Sequence, residues 1–148
     1  MGQYDFTTRW LIDSDAEPVW DAIADFERWP SWWTSVQRVR EVEPGAYAIA
    51  WRSRLPYELE FTMHVTRSER PRVIEGHTDG ELRGGGVCTL SEPAGGTLVS
   101  YAWNVATTRG WMNALAPAAR PVFVWNHDHV MRTGGEGIGR LLDTRVTS

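Results

Sequence analysis

The first residues of the chain alternate between apolar and polar positions and then change period. In residues 3–12 every second position belongs to one face: Tyr4, Phe6, Thr8, Trp10 and Ile12. This period of two predicts a strand with one buried face. The next segment, SDAEPVWDAIADFERW, carries apolar residues at helical spacing: Val19, Trp20, Ile23 and Ala24.

The ends of this first helix carry recognisable signals. Ser14 and Glu17 have the spacing of a capping box, in which two side chains satisfy free backbone N–H groups at a helix start. Pro30 is expected to stop the helix, because proline lacks a backbone N–H. The letters SWW that follow predict the start of a second, short helix.

Residues 36–106 return to a period of two. The segment YELEFTMHV places five apolar residues on one face: Tyr57, Leu59, Phe61, Met63 and Val65. AYAIAW and TLVSYAWNV alternate in the same way, and turn residues such as Pro44-Gly45 and Arg70-Pro71 separate the segments. About six antiparallel strands in a meander are the simplest topology, followed by an irregular crossing through RGWMNALAPAARP.

The segment VFVWNHDHVMRTGGEGIGRLL admits three interpretations. A phosphate-binding loop fails because Arg140 and Leu141 stand where a lysine and a hydroxyl residue are needed. A metal site through His127 and His129 is disfavoured because two residues that are two apart on a helix point in nearly opposite directions. We therefore expect no metal at either histidine.

The third interpretation is a long amphipathic helix over residues 118–142. One face would carry Val124, His127, Asp128, Met131, Gly134, Gly135, Ile138, Leu141 and Leu142. Each glycine in a helix interior costs about 1 kcal/mol relative to alanine, so tertiary packing must compensate. Gly134 and Gly135 are expected to allow close approach to the sheet, whereas the pattern assigns no role to Gly137 and Gly139.

Composition narrows the class of protein. The 148 residues fit one domain, with a net charge of −4 and mixed signs that disfavour a nucleic-acid partner. Cys88 is the sole cysteine, so no internal disulfide can form. No signal sequence or membrane span is evident, which predicts a cytoplasmic protein. Nine tryptophans suit a core or a pocket for a flat apolar ligand.

Three segments resemble the polyketide cyclase/dehydrase-like branch of the START superfamily, also called SRPBCC. They are DAEPVWDAIADFERWPSWW, ELRGGGVCTLSEPAGGTLVSYAW and PVFVWNHDHVMRTGGEGIGRLL. The resemblance covers nearly the whole chain, residues 1–148, as one domain. It implies an α+β helix-grip fold of the START and birch-allergen type. In such a fold a bent antiparallel sheet wraps around a long C-terminal helix, two short helices follow the first strand, and a deep apolar cavity lies between sheet and helix.

Relatives often carry an aromatic residue where Cys88 stands. Pairing around the turn at residues 93–96 would set Cys88 near Tyr101 and Gly86 near Trp103, and both small residues would enlarge the space there. A small buried thiol is the favoured interpretation of Cys88, because no histidine is tied to it as a base. The residues expected to contact a ligand are Trp33, Trp51, Phe61, Met63, Cys88, Tyr101, Trp103 and Met131.

Several orientations stay open. The trio Trp29, Trp32 and Trp33 either fills the core beneath the first helix or forms the rim of the pocket. Glu75 and His77 share a strand face without an indication of which side is buried, whereas Glu58, Glu60 and His64 form a solvated face.

Three functions compete. The first is binding of a hydrophobic small molecule, such as a polyketide, lipid or aromatic metabolite, without a cofactor. The second is a cyclase or dehydratase in which His127 and Asp128 transfer protons, because histidine titrates near neutral pH. If His127 and Asp128 are not catalytic, they are two buried polar groups paired with each other or with neighbouring groups. The third is a structural or partner-binding domain with a collapsed core. A monomer and a homodimer are equally compatible with the sequence.

Overall fold

The computed structural model describes residues 3–52, 58–93, 96–107 and 116–147. Within these ranges the chain forms three α-helices and eight strands. The helices are α1 (Ala16–Ala24), α2 (Trp29–Trp32) and α3 (Ala116–Leu141), and a 3-10 turn at Phe26–Arg28 leads into α2. The strands are β1 (Gln3–Ile12), β2 (Val36–Glu43), β3 (Ala46–Trp51), β4 (Leu59–Glu69), β5 (Val73–Gly80), β6 (Leu82–Ser91), β7 (Thr97–Thr107) and β8 (Val146–Thr147).

The strands form one antiparallel sheet in the order β2-β3-β4-β5-β6-β7-β1-β8. The predicted meander from β2 to β7 is confirmed, and β1 adds to its far side by pairing with β7. A bulge between Val65 and Arg67 interrupts the β4–β5 pairing, and such bulges bend a sheet. With a long helix after the meander, this is the α+β helix-grip arrangement. Among the described residues, no helix is long and apolar enough to cross a membrane.

The start of α1 differs from the expected capping box. The N-cap residue is Asp15, without a side-chain cap, and the Ser14 hydroxyl faces the Asp15 carbonyl oxygen at 3.4 Å. Glu17 instead binds Arg70 of the β4–β5 turn at 2.5 Å, and Asp21 binds the same guanidinium group at 2.8 Å. Glu17 therefore pairs with Arg70 and does not complete a capping box.

Pro30 begins a helix and does not end one. Helix α1 already stops at Ala24, and Pro30 lies in the first turn of α2, which starts at Trp29. Proline suits this position because the first helical N–H groups have no partner within the helix. The second short helix therefore exists, but it begins two residues before Ser31.

Helix α3 confirms the helical interpretation of the C-terminal segment and excludes the phosphate loop. It begins at Ala116, two residues earlier than predicted, and residues 109–115 of the expected crossing lie outside the described residues. Met131, Gly135 and Ile138 are buried as expected. Asp128 was expected on the buried face and is exposed, whereas Asn126 and Val130 are buried.

Asp128 was wrongly assigned to the buried face for a physical reason. Helix α3 packs between β1 and α2, and not against the sheet alone. A Cβ atom at Gly135 would lie 3.1 Å from the Trp10 indole nitrogen of β1. On the other side, a Cβ at Gly137 would lie 1.7 Å from the backbone oxygen of Trp32. The second contact rotates the buried face toward α2 and leaves Asp128 at the open edge.

The four glycines of α3 now have a common explanation. A Cβ at Gly134 would meet the Trp33 ring at 2.6 Å, and one at Gly139 would meet Val146 of β8 at 3.1 Å. Gly134 therefore faces α2 and not the sheet, which corrects the expectation for this residue. Three tryptophans and the last strand approach the helix backbone directly, and the packing that results offsets the helix-propensity cost.

Candidate functional site: an apolar cavity under the first helices

An apolar cavity lies against the inner face of β4 to β7. On the sheet side it is lined by Met63 from β4, Ile74, Gly76 and Thr78 from β5, Gly86 and Cys88 from β6, and Tyr101 and Trp103 from β7. The two pairings expected across the β6–β7 hairpin are confirmed, since Cys88 faces Tyr101 and Gly86 faces Trp103. On the other side of β6, Gly86 pairs with Gly76. Gly76 and Gly86 thus lie side by side on the sheet side of the cavity, and this pair, which has no side chains, is called the glycine floor.

The helical wall of this cavity comes from Ile23 of α1, Phe26 of the 3-10 turn and Trp29 of α2. The Trp29 indole N–H donates to the Ile23 carbonyl oxygen at 3.0 Å, and the Phe26 and Trp29 rings meet edge to face at 5.2 Å. A cavity against the C-terminal helix was expected, but none of the described side chains of α3 lines this one. The reason is the packing of α3 described above: α1 covers β6, whereas α3 contacts β1 and α2.

Two buried hydroxyl groups of the cavity lack a strong hydrogen-bond partner among the described residues. Thr78 is 3% exposed and its hydroxyl makes no hydrogen bond there, whereas Tyr101 is 6% exposed and its hydroxyl contacts only the weakly hydrogen-bonding thiol of Cys88. A buried polar group without a partner costs about 1–3 kcal/mol, so most such groups in proteins are satisfied. These two hydroxyls are therefore the polar features of an otherwise apolar wall.

Cys88 and Tyr101 are both held in their uncharged forms. Burial raises the pKa of the Cys88 thiol to about 12, although its contact with Tyr101 opposes this shift. Burial also raises the pKa of Tyr101 well above its usual value, and a thiolate at Cys88 would raise it further. At neutral pH the thiol is not a nucleophile, and the phenol can donate a hydrogen bond but cannot act as a base.

The cavity is small as it stands. Its volume is about 40 Å³. This is room for a few waters at most, whereas sites for drug-sized ligands enclose roughly 300–1,000 Å³. Side chains must therefore move before a ligand of that size can enter.

The Trp103 indole occupies the space above the glycine floor. A Cβ atom at Gly86 would lie 3.2 to 3.4 Å from three adjacent atoms of its six-membered ring. Trp103 is half-buried, whereas Trp10, Trp29 and Trp33 are buried. The space that two small residues were expected to create is thus largely filled by this ring.

His127 and Asp128 do not form a pair inside the cavity. His127 is 4% exposed and stacks on Phe6 of β1, with ring centroids 3.7 Å apart. The Asp128 side chain is 64% exposed and lies in an open groove with Thr7 and Arg9 of β1. The two groups are 3.6 Å apart, which exceeds hydrogen-bond length.

Burial governs the protonation of His127. It lowers the pKa of the imidazole to about 4, and attraction to the Asp128 carboxylate offsets only part of this shift. Neither ring nitrogen has a hydrogen-bond partner among the described residues. Within those residues no group of three His, Cys, Asp or Glu side chains is arranged to hold a metal ion. That His127 and His129 bind no metal stays a prediction.

The sequence of the chain matches a family model over residues 3–138. The description of this family is polyketide cyclase / dehydrase and lipid transport. The chain belongs to this family. No curated protein matches the chain in sequence.

Solved structures related to this polyketide cyclase/dehydrase family share the fold at low sequence identity. The aromatase/cyclase Zhui from Streptomyces sp. R1128 has a TM-score of 0.70 and 14% identity, with 94% of each chain covered. A START superfamily protein from Mycobacterium smegmatis has a TM-score of 0.71 and 12% identity over 95% of this chain and 99% of the other. The chain spans 52% of the di-domain aromatase/cyclase StfQ of the steffimycin pathway, with 95% of this chain covered, a TM-score of 0.68 and 11% identity.

The residues expected to bind a ligand fall into two groups in this family member. Met63, Cys88, Tyr101 and Trp103 line the cavity. The other four lie in different parts of the core and do not line it: Trp33, Trp51, Phe61 and Met131. Trp51 and Phe61 pack edge to face at 5.2 Å at the β3–β4 end of the sheet. As ligand contacts, all eight stay predictions.

Trp33 is tied into the core by a hydrogen bond and by neighbouring rings. Its indole N–H donates to the Val130 carbonyl oxygen at 2.7 Å, and its ring lies 5.7 Å from Trp10 and 5.1 Å from Trp29. Within the tryptophan trio, Trp33 thus fills the core, whereas Trp29 forms part of the cavity wall.

The sequence did not point to Thr78 or Ile74 as lining residues. Both alternate with Gly76 on the inner face of β5, so Glu75 and His77 lie on the opposite face. The glycine interrupts the apolar pattern, which is why the buried side of this strand was undecided. Treating Gly76 as an inward position of the period-two pattern would have indicated the correct face.

Proposed function

We propose that this protein binds an uncharged, largely apolar small molecule in the cavity between β4–β7 and the α1–α2 segment. The observation that carries the proposal is the presence in one apolar cavity of two buried hydroxyls, one of which, Thr78, has no hydrogen-bond partner among the described residues, while the other, Tyr101, contacts only the thiol of Cys88. A hydroxyl or carbonyl group on a ligand would satisfy both and fix its orientation, while burial of its apolar surface would supply most of the affinity.

The family supports the chemical class of this ligand. Its description joins polyketide cyclisation or dehydration with lipid transport, and the titles of Zhui and StfQ name aromatase/cyclases. We infer a polyketide, lipid or aromatic metabolite, each of which combines apolar surface with a few oxygen atoms.

We favour ligand binding over the alternative function, an enzyme in which His127 and Asp128 transfer protons. His127 is covered by Phe6, and Asp128 faces the outer groove, so neither side chain lines the cavity. Tyr101 stays protonated and can orient a ligand oxygen as a donor. A cyclase that acts by holding a reactive chain in one folded shape would need only such orientation and desolvation.

A collapsed core is the competing interpretation, and one observation favours it. The volume of about 40 Å³ would then be a packing defect and not a closed binding site. The two interpretations differ in one measurable way. A packing defect does not select a polar group on the molecule that enters it, whereas a site built around two hydroxyls does.

The test compares two flat probes that differ by one hydroxyl group, 2-naphthol and naphthalene. We expect Thr78→Val to weaken binding of 2-naphthol about five- to tenfold, the worth of one hydrogen bond, and to leave the affinity for naphthalene unchanged. Tyr101→Phe should act in the same way. Isothermal titration of each variant measures both affinities, with Thr97→Val as a control for loss of a threonine hydroxyl outside the cavity.

Mass spectrometry of the denatured, freshly purified protein would show whether a molecule of the expected class is retained. Failure of the wild-type protein to bind either probe, together with no retained molecule, would support the collapsed core. An equal loss of affinity for both probes in Thr78→Val would show that the hydroxyl does not select the ligand's polar group.

A further inference from the structure

We propose that the Trp103 indole is a displaceable plug over a ring-binding floor, and that the ligand is a flat aromatic molecule that takes its place. This rests on the function proposed above. It adds the side chain that moves and the shape of the ligand. The floor is the pair Gly76 and Gly86, which face each other across β5 and β6.

The first support is the contact between Trp103 and Gly86. Three adjacent atoms of the six-membered ring lie 3.2, 3.3 and 3.4 Å from the position of a Cβ at Gly86. The ring therefore covers the backbone of β6 so closely that a Cβ atom at Gly86 would require it to move by a few tenths of an ångström. Since every aromatic ring presents a similar flat face, the surface that accepts an indole can accept a flat ligand ring.

The second support is that little holds Trp103 in place. Among the described residues its indole makes no hydrogen bond and no ring–ring contact, and the side chain is half-buried. Trp29, which faces the same cavity, is held by its hydrogen bond to the Ile23 carbonyl oxygen. Displacement of Trp103 therefore breaks no hydrogen bond or ring contact with a described residue, whereas displacement of Trp29 would break one hydrogen bond.

The third support is what lies beside the floor. The Thr78 and Tyr101 hydroxyls border the cavity and are available to one oxygen of a ligand ring. With Trp103 moved aside, a ring on Gly86 would lie between these hydroxyls and the apolar wall formed by Phe26 and Trp29. One flat ring system with a hydroxyl or carbonyl at its edge matches this arrangement.

The charges around the cavity favour an uncharged ligand. Glu75 borders the cavity from the outer face of β5, where its carboxylate lies 3.2 Å from the guanidinium group of Arg67. Among the described lining residues there is no arginine or histidine to neutralise a ligand carboxylate. Burying an unpaired charge is costly, so anionic ligands are disfavoured.

The test measures binding of 2-naphthol to the wild-type protein and to Trp103→Ala by isothermal titration. If the indole competes with the probe, its removal should tighten binding by about tenfold, as expected when the open form is about a tenth of the population. Gly86→Val in the Trp103→Ala background fills the floor in the space left by the ring and should abolish this gain. Trp125→Ala, an exposed position on α3, is the control and should bind as the wild type does.

A second measurement observes the displacement directly in the wild-type protein. Fluorine NMR of protein labelled with 5-fluorotryptophan, with the Trp103 signal assigned from Trp103→Phe, should show that this signal shifts on saturation with 2-naphthol. Trp103→Phe also serves where Trp103→Ala does not fold, and it should give a smaller gain in affinity. The Trp33 signal should stay nearly unchanged.

Each other outcome is informative. Weaker binding by Trp103→Ala would show that the indole is a fixed wall; it would overturn the plug and leave the proposed function intact. If Trp103→Ala binds the probe and the wild-type protein does not, the substitution has created the binding space, which contradicts the proposal. A Trp103 signal that does not shift at saturation would contradict it as well. If neither protein binds the probe, the proposed function fails as well.

Discussion

Two regions of this protein place a tryptophan directly on a glycine, with opposite results. At the α3 end, Gly134 lies against Trp33 and Gly137 against Trp32. In the cavity, Gly86 lies against Trp103. The Trp33 indole is buried and donates a hydrogen bond to Val130, whereas the Trp103 indole is half-buried and makes no hydrogen bond with a described residue.

The difference shows that close approach does not by itself make a rigid core. A glycine removes the Cβ atom and admits a ring, but hydrogen bonds and surrounding rings decide whether the ring stays. We refer to the α3 contacts as the sealed end and to the cavity floor as the open end. Four predictions test this distinction.

The largest effect is expected from adding one methyl group at each end. In Gly137→Ala the new Cβ would lie 1.7 Å from the backbone oxygen of Trp32, so α3 must move, and we expect a loss of more than about 3 kcal/mol of unfolding free energy. In Gly86→Ala the Cβ meets only a side-chain ring at 3.2 Å, so the loss should stay below about 1 kcal/mol. Urea denaturation measures both; similar losses would contradict the distinction.

The next effect is the pH dependence that His127 imposes on the sealed end. Because burial lowers the pKa of His127 from about 6.5 in the unfolded chain to about 4 in the folded protein, the unfolded state gains a proton first on acidification. Stability is complete above pH 6.5 and falls between pH 6.5 and 4, by about 3 kcal/mol at most. Denaturation of wild type and His127→Phe across this range measures the difference, and equal pH profiles would show that the imidazole is not buried in neutral form.

The third test exchanges a tryptophan for phenylalanine at each end. Trp33→Phe removes one of the two side-chain donors to the Val130 carbonyl oxygen, the other being the Thr133 hydroxyl, together with part of a buried ring, and should cost about 2 kcal/mol. Trp103→Phe removes no hydrogen bond known from the described residues and should cost less than about 1 kcal/mol. Thermal and urea unfolding provide the comparison. A larger loss at Trp103 would mean that the open end is the better packed of the two.

The smallest effect is expected from two buried threonines. The Thr78 hydroxyl has no hydrogen-bond partner within the described part of the chain, so Thr78→Val should raise the unfolding free energy by about 1 kcal/mol. The Thr97 hydroxyl donates to the Ser14 carbonyl oxygen at 2.7 Å, so Thr97→Val should lower it by a similar amount. Opposite signs in denaturant titrations support an unsatisfied cavity hydroxyl, and a loss in both variants contradicts it.

Sequence patterns predicted the elements well and the helix contacts less well. The strands and α3 follow periods that report one buried face each, so their positions could be derived. The burial of Val130 and Gly137 could not, because it depends on α2, whose contact with α3 joins residues about a hundred positions apart. The prediction of one continuous buried face on α3 therefore included Asp128, although its side chain is exposed.

The cavity was predicted in part for a similar reason. The Cys88–Tyr101 and Gly86–Trp103 pairs follow from one hairpin turn, so they were accessible from local sequence. The helical wall and the volume of the cavity depend on the positions of α1 and of the Trp103 ring. Local sequence patterns do not predict these positions. Met63, Cys88, Tyr101 and Trp103 consequently line the cavity as expected, whereas the expected helical wall from α3 is replaced by α1 and α2.

The position of β1 in the sheet also has a consequence for the order of folding. Its partner β7 lies about a hundred residues further along the chain, with Gln3 opposite Ala106, whereas β2 to β7 join neighbours through short turns. Contacts between distant residues form late because closing a long loop is entropically costly. We expect the hairpins that carry Gly76 and Gly86 to assemble before β1 and α3 dock, so that the apolar side of β1, with Trp10, is still exposed to water when these hairpins have formed.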